Sequence, residues 1–357
     1  MTTIKIQRNI YLDYLRGLSA LAVMLFHYTT RYDMLFGHTG GYPLYFKYGS
    51  YGVLVFFLLS GYLTFGRIDN VRKSPRKFLY KRFLRLYPTF WIVMICTAIL
   101  TYFFLPELSV SVKDFFLNLT MVPMYLGAKN IDGAYWTLSC ELAFYLFVWL
   151  IGISRIKTKS AIFLWFVIQA IIVALPENGV GFSVINKVND LLYFHCFMVG
   201  GIIFLLEQKI SGRETRKQDI VEYFVLTTMY VFFVSQQFLS HELPSGVFMI
   251  VAVVLLILSI LLYNKSLFLS NSITKMLEPL VWFAIISYPF YLLHQNIGFV
   301  IIRWLESVGF ASEFWLIIPF ALITGLACLL HKYVEKPMSS LPVSYTHLRA
   351  HETPEHL

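Results

Sequence analysis

The stretch LDYLRGLSALAVMLFHY, residues 12–28, sets the terms for the whole chain. Ten residues lie between Arg16 and His27, and apart from Ser19 none of them is polar. On an α-helix an interval of eleven positions is three turns almost without remainder. Arg16 and His27 therefore share one face, ~16 Å apart at 1.5 Å per residue. Asp13 sits one turn below Arg16 and is placed to pair with it. Ala20 and Val23 fill the stripe between Arg16 and His27, which leaves a smooth apolar face with polar ends. A run of this length and apolarity matches the ~20 residues that a helix needs to cross a bilayer. Ionisable groups at membrane depth cost a few kcal/mol and face a partner or a cavity. Two bland readings stand beside a functional one: Arg16 as an interfacial anchor that snorkels, and His27 as a neutral imidazole bridging two helices.

The remainder of the chain agrees with a membrane setting. Of 357 residues, 58% are hydrophobic, 18% aromatic and only 14% charged, and the mean hydropathy is +0.66. Soluble domains carry roughly 25% charged residues. This composition excludes a soluble enzyme with a single hydrophobic anchor. The net charge of +9 does not signal nucleic acid, because the basic residues flank apolar runs, as orientation signals do. The four cysteines, Cys96, Cys140, Cys196 and Cys328, lie in or beside apolar runs without a CxxC pair, and are expected to be small buried hydrophobes. No small-residue cleavage site follows the first apolar run, so no cleaved signal peptide is expected.

Apolar runs fall at about 10–31, 50–67, 86–105, 136–153, 160–175, 189–206, 220–239, 246–263, 279–302 and 313–334. The expected fold is all-α, a single polytopic domain of about ten transmembrane helices over residues 1–342. With the N-terminus inside, the inner connections hold 22 Lys and Arg and the outer ones 6, which predicts both termini in the cytoplasm. Residues 343–357, ending VSYTHLRAHETPEHL, are polar and aperiodic and read as a non-native tail of the cloning-scar type. Their histidines, His347, His351 and His356, are not taken as metal ligands, and no metal site is expected.

In this topology several polar side chains reach a similar depth to His27. Glu141 in WTLSCELAFY enters from the outer side, His294 in SYPFYLLHQN and His195 lie in the outer half, and Ser60 in FFLLSGYL is near mid-depth. Convergence from several helices suggests a site. At the inner surface, SPRKFLYKRFLRLYP (74–88) places Arg82 and Arg85 one turn apart, with Pro75 suited to a helix start. This segment reads either as an amphipathic helix on anionic lipid or as a phosphate clamp.

Taken together, these residues resemble the membrane acyltransferase-3 family, whose members O-acylate surface glycans. The resemblance rests on Asp13, Arg16, Gly17 and His27, on GVLVFFLLSGYL (52–63), and on Arg82-x-x-Arg85-x-x-Pro88. It continues through WTLSCELAFY (136–145), SYPFYLLH (287–294) and YVEKP (333–337), in order along nearly the whole chain. It departs at Thr137, where the family often has Ser after Trp136.

The resemblance implies an acyl-CoA donor, taken as acetyl-CoA, entering from the cytoplasm, and a glycan or lipid-linked saccharide acceptor outside. It implies His27 as catalytic base and Arg16, Arg82 and Arg85 on the donor. Acetyl-CoA is a substrate, and no permanently bound cofactor is expected. A pantetheine arm is roughly as long as the ~16 Å from Arg16 to His27. Glu141 is the second expected catalytic residue, orienting His27 or a sugar hydroxyl. Asp13, Ser60, Trp136, Ser287, Tyr288 and His294 are expected to support it. Gly52 and Gly61 would permit close helix packing. The expectation is an enzyme of the cell (inner) membrane, surrounded by lipid, without a fused esterase-like domain. The competing class is a transporter or flippase of a glycan or small metabolite, but no paired repeats or matching broken helices are seen.

Overall fold

The computed structural model describes residues 9–39, 44–154, 156–174, 193–211, 253–254, 257, 271–310 and 313–341. Among them the chain is all-helical, with no strand. The stretch around His27 forms one rod. Asn9 caps it by accepting from the Tyr11 N–H (3.0 Å), and α1 runs Ile10–Phe26. A π-helical turn follows at His27–Arg31, and a last turn of α-helix at Tyr32–Phe36.

The remaining elements are α2 (Gly52–Phe65), α3 (Ile68–Lys73), α4 (Pro75–Phe104), α5 (Val112–Asn118), α6 (Trp136–Ser154), α7 (Thr158–Ala174) and α8 (Phe194–Ser211). They are followed by α9 (Asn271–Leu293), α10 (Asn296–Ser307) and α11 (Ile317–Leu330). A second π-helical turn, His331–Glu335, extends α11.

Among the described residues, five helical stretches are long and apolar enough to cross a membrane: Lys47–Phe65, Pro75–Phe104, Gly133–Ser154, Lys275–Leu293 and Phe314–Ser340. Thr158–Ile168 and Phe194–Gln208 are shorter apolar helices. The expected spans at 220–239 and 246–263 lie almost wholly outside the described residues. Residues 86–105 do not begin a span of their own. The basic segment from Pro75 onward is continuous with them in the 30-residue α4, with Pro75 in its first turn.

The expected span at 279–302 is instead broken at His294–Gln295, between α9 and α10. Of the cysteines, Cys140 and Cys196 are buried, but Cys96 is exposed. It lies on the face of α4 that also exposes Ile92, Ile95 and Ile99, an apolar stripe suited to lipid.

Glycines bring the helices close, as expected of Gly52 and Gly61. A side chain at Gly61 would collide with the Phe197 carbonyl of α8, and one at Gly52 with the Ser19 carbonyl of α1. Gly17 does the same for α1 against the Leu280 backbone of α9. The α2, α6 and α8 interface is filled by aromatic rings, with Phe144 stacked on Phe197 at 4.2 Å and Phe57 4.6 Å from Phe197. These contacts hold α1, α2, α6 and α9 around the polar residues described next.

Candidate active site

The π-helical turn begins at His27, and its cause is local. His27 Nδ1 lies 2.8 Å from the Val23 carbonyl, and Thr29 Oγ1 donates to the Leu25 carbonyl at 2.6 Å. Side chains that bond carbonyls four residues back compete with the backbone ladder. The Tyr32 N–H then reaches back five residues to the His27 carbonyl. Such single π-turns are rare and gather at functional positions.

His294 meets His27 across the bundle. Its Nε2 is 3.2 Å from His27 Nδ1, the ring centroids are 4.8 Å apart, and its Nδ1 is 2.7 Å from the Tyr291 carbonyl. Carbonyl oxygens only accept, so the hydrogen-bond network assigns a proton to Nδ1 of both rings. His294 Nε2 is then a lone pair, and His27 Nδ1–H is shared between it and the Val23 carbonyl. His27 Nε2 is left unprotonated, with no hydrogen bond to any described residue, on a side chain that is only half-buried. This is the tautomer a general base needs.

The break after α9 has a long-range cause. The Asn296 N–H donates to Asp132 Oδ2 (2.9 Å) instead of to the carbonyl four residues back, that of Leu292. That carbonyl accepts from the Tyr135 hydroxyl (3.2 Å). Asp132 Oδ1 also accepts from the Ala134 N–H (2.8 Å), and Asn296 Nδ2 donates to the Ile131 carbonyl (2.9 Å). Tyr291 completes the seam, its hydroxyl donating to the Ala134 carbonyl (3.0 Å) and lying 2.9 Å from Thr137 Oγ1. Burial pushes the Asp132 carboxyl up to about 7, against the two backbone N–H groups that favour its charge. The far end of the rod is tied to α10 by Glu306, which takes His38 Nδ1 at 2.8 Å and the Tyr32 hydroxyl at 2.9 Å.

A different chemistry occupies the Arg16 end. Arg16 pairs with Asp13 at 3.8 Å, as the spacing implied. Arg16 also lies within electrostatic reach of Arg85, Glu141 and Tyr145, and Arg85 within reach of Glu141, Glu335, Tyr145 and Tyr288. Arg82 stacks on the Tyr145 ring at 4.2 Å and donates from Nη2 to Thr64 Oγ1 at 3.2 Å. Arg67, at the end of α2, feels both Arg82 and Arg85. Four guanidinium groups thus converge here. Arg16, Arg82 and Arg85 each keep part of their surface uncovered.

Glu141 belongs to this second group. Its Oε1 accepts from Ser60 Oγ (3.2 Å) and from the Tyr145 hydroxyl one turn on, in a short contact, and it makes no hydrogen bond to His27. The expected partnership of Glu141 with His27 is therefore replaced by His294 at the imidazole and by Tyr145 at the carboxylate. Ser60 sits with Glu141. Tyr288 donates to the Leu86 carbonyl (2.7 Å), Ser287 to the Ala284 carbonyl (2.8 Å), and Trp136 packs on Tyr193 and Phe57. His195, on α8, is fully buried.

Sequence reading passed over Tyr145, Glu335, Arg67, Asp132 and Tyr135. Tyr145 stands at i+4 from Glu141, on the same face, and Glu335 at i+4 from His331, whose Nδ1 it holds at 2.7 Å. Both spacings were visible. The pairing of Asp132 with Asn296 joins residues 164 positions apart and had no local signal.

Comparison with known proteins decides the family. The family described as acyltransferase domain matches residues 9–331, which includes every residue named at both ends of the site except Glu335. The chain belongs to the acyltransferase-3 family. This acyltransferase is 25% identical to a putative acetyltransferase, ORF330, of Acidianus two-tailed virus, over 84% of this chain and 88% of that protein. It is 24% identical to the putative peptidoglycan O-acetyltransferase YrhL of Bacillus subtilis, over 94% of this chain and 56% of the relative. It is 28% identical to the exopolysaccharide production protein ExoZ of Rhizobium meliloti, over 37% of this chain and 44% of the relative. The chain thus aligns with about half the length of the latter two. No solved structure matches it.

Proposed function

We propose that this acyltransferase moves an acetyl group from acetyl-CoA to a hydroxyl of a surface or exported glycan. The observation that carries the reading is His27, half-buried on a helix of an acyltransferase family, with its Nε2 free of any described partner.

The residues divide the reaction between them. The guanidinium groups of Arg16, Arg82 and Arg85 hold the phosphates of CoA, and Arg's planar fork suits phosphate better than Lys would. A pantetheine arm is long enough to span the ~16 Å of helix rise between Arg16 and His27, and it delivers the thioester to His27. The acceptor hydroxyl gives its proton to His27 Nε2 as its oxygen attacks the thioester carbonyl carbon. The imidazolium formed is stabilised through Nδ1–H, whose bonds to Val23 and His294 strengthen with charge. The C–S bond then breaks and the CoA thiolate takes the proton back. The products are an ester and CoA–SH, with no net proton.

The names of the relatives favour this over a glycan transporter, since one is named an acetyltransferase and another a peptidoglycan O-acetyltransferase. The test is free-CoA release from acetyl-CoA by purified protein, with peptidoglycan and exopolysaccharide fragments as acceptors. Acceptor-dependent release is expected. Saturable glycan transport in proteoliposomes without CoA release would support the transporter instead.

The same reading puts the Arg82 end in the cytoplasm and the 107–135 segment outside, following the distribution of Lys and Arg. In a background lacking the four native cysteines, Ser74→Cys should resist an impermeant maleimide on intact cells and Lys129→Cys should react. The opposite pattern would exchange the donor and acceptor sides.

A further inference from the structure

We propose that Asp132 and Tyr135 are positioning residues for acyl transfer, which build the break between α9 and α10 and through it set the tautomer of the His294–His27 pair. The inference rests on the reading of His27 as base and adds what holds that base ready.

The argument starts from one missing hydrogen bond. An uninterrupted helix over 279–302 would join the Asn296 N–H to the Leu292 carbonyl, four residues back. Both groups are buried, and leaving either unpaired would cost the protein a desolvated polar group. Each instead has a substitute from the same short segment. Asp132 Oδ2 takes the N–H at 2.9 Å, and the Tyr135 hydroxyl donates to the carbonyl at 3.2 Å.

The segment is itself braced to the break on both sides, by Asn296 Nδ2 on the Ile131 carbonyl and by the Tyr291 hydroxyl on the Ala134 carbonyl. Gln295 packs its side chain directly on Gly133, where any Cβ would collide with it. Residues 131–135 therefore act as the partner that a continuous helix would have supplied from its own backbone.

The consequence for chemistry follows one bond at a time. Ending α9 at Leu293 leaves the carbonyls of its last turn open to other donors. The Tyr291 carbonyl is one of them, and it takes His294 Nδ1 at 2.7 Å. With its proton held on Nδ1, His294 presents a lone pair at Nε2 to His27 Nδ1–H, 3.2 Å away. His27 then keeps its proton on Nδ1 and its lone pair on Nε2. A carboxylate and a phenol that touch neither ring thus determine which nitrogen of His27 is basic.

The test is a double-mutant cycle in which the readout is kcat for free-CoA release from acetyl-CoA with a peptidoglycan-fragment acceptor. Asp132→Asn should lower kcat at least tenfold, with the Kd for acetyl-CoA within twofold of wild type. Tyr135→Phe, which removes one hydroxyl, should lower kcat three- to tenfold, and serves if Asp132→Asn fails to fold. On a His294→Ala background either substitution should cost less than twofold, because the residue through which it acts is gone. A scaffold role alone would instead carry its full loss onto that background. Wild-type kcat in both single variants, or losses that multiply in full with His294→Ala, would overturn the inference. If His27→Ala itself retains turnover, the base reading falls; if His27→Ala is inactive while the losses multiply, only the positioning role falls.

Discussion

The two ends of α1 solve opposite problems. At the Arg16 end, charge is concentrated: four guanidinium groups meet the carboxylates of Asp13, Glu141 and Glu335, and the phenols of Tyr145 and Tyr288 stand among them. At the His27 end, no described charged side chain hydrogen-bonds the imidazole, although Arg31 lies within electrostatic reach. Its hydrogen-bond partners are a carbonyl and a second imidazole, and they determine where a proton sits. On the proposed function, the difference teaches that recognition and chemistry are separable along a single helix. One end has the charge to suit a polyanionic donor tail, and the other presents the His27 Nε2 lone pair that the proposed base needs. Tight packing at Gly17 and Gly52 links the two by fixing α1 against α9 and α2.

The comparison can be broken first at the charged end. Arg85→Ala should weaken acetyl-CoA binding tenfold or more in calorimetry, a change of ~1.4 kcal/mol or above. Arg82→Ala should do the same, and Arg82→Lys should recover only part of the loss. Lysine keeps the charge but not the planar group that stacks on Tyr145. Neither arginine variant should change kcat at saturating donor by more than threefold. Unchanged affinity in both alanine variants would return this segment to the role of a lipid anchor.

Glu141 sharpens the comparison at smaller amplitude. Hydrogen-bonded to Ser60 and Tyr145 and near two arginines, it stands with the arginine group, which the proposed function gives to the donor. Glu141→Gln should shift the KM for acetyl-CoA about threefold and leave kcat within threefold. A tenfold fall in kcat at unchanged donor affinity would move Glu141 to the His27 end after all.

Much of this organisation is legible in the sequence, because helix periodicity is local. The shared face of Arg16 and His27, the pairing of Asp13 with Arg16, the start of α4 at Pro75 and the packing roles of Gly52 and Gly61 all follow from spacing and residue type. The break at His294–Gln295 does not. Neither residue is a helix breaker, and α9 carries Pro279 and Pro289 inside its helical run without ending there. The helix stops because Asp132, remote in sequence, competes for one backbone N–H. The partner of His27 was hidden for the same reason. Depth alone placed Glu141, His294 and Ser60 together, whereas the facing directions that separate Glu141 from His27 depend on how α6 and α9 pack.

The most direct test of this division is His27→Ala, measured for acetyl-CoA binding and for acceptor-dependent CoA release in the same preparation. Donor affinity within twofold of wild type, with turnover below a hundredth, is the expected result. Turnover above a tenth of wild type, or a loss explained by weakened donor binding, would contradict it.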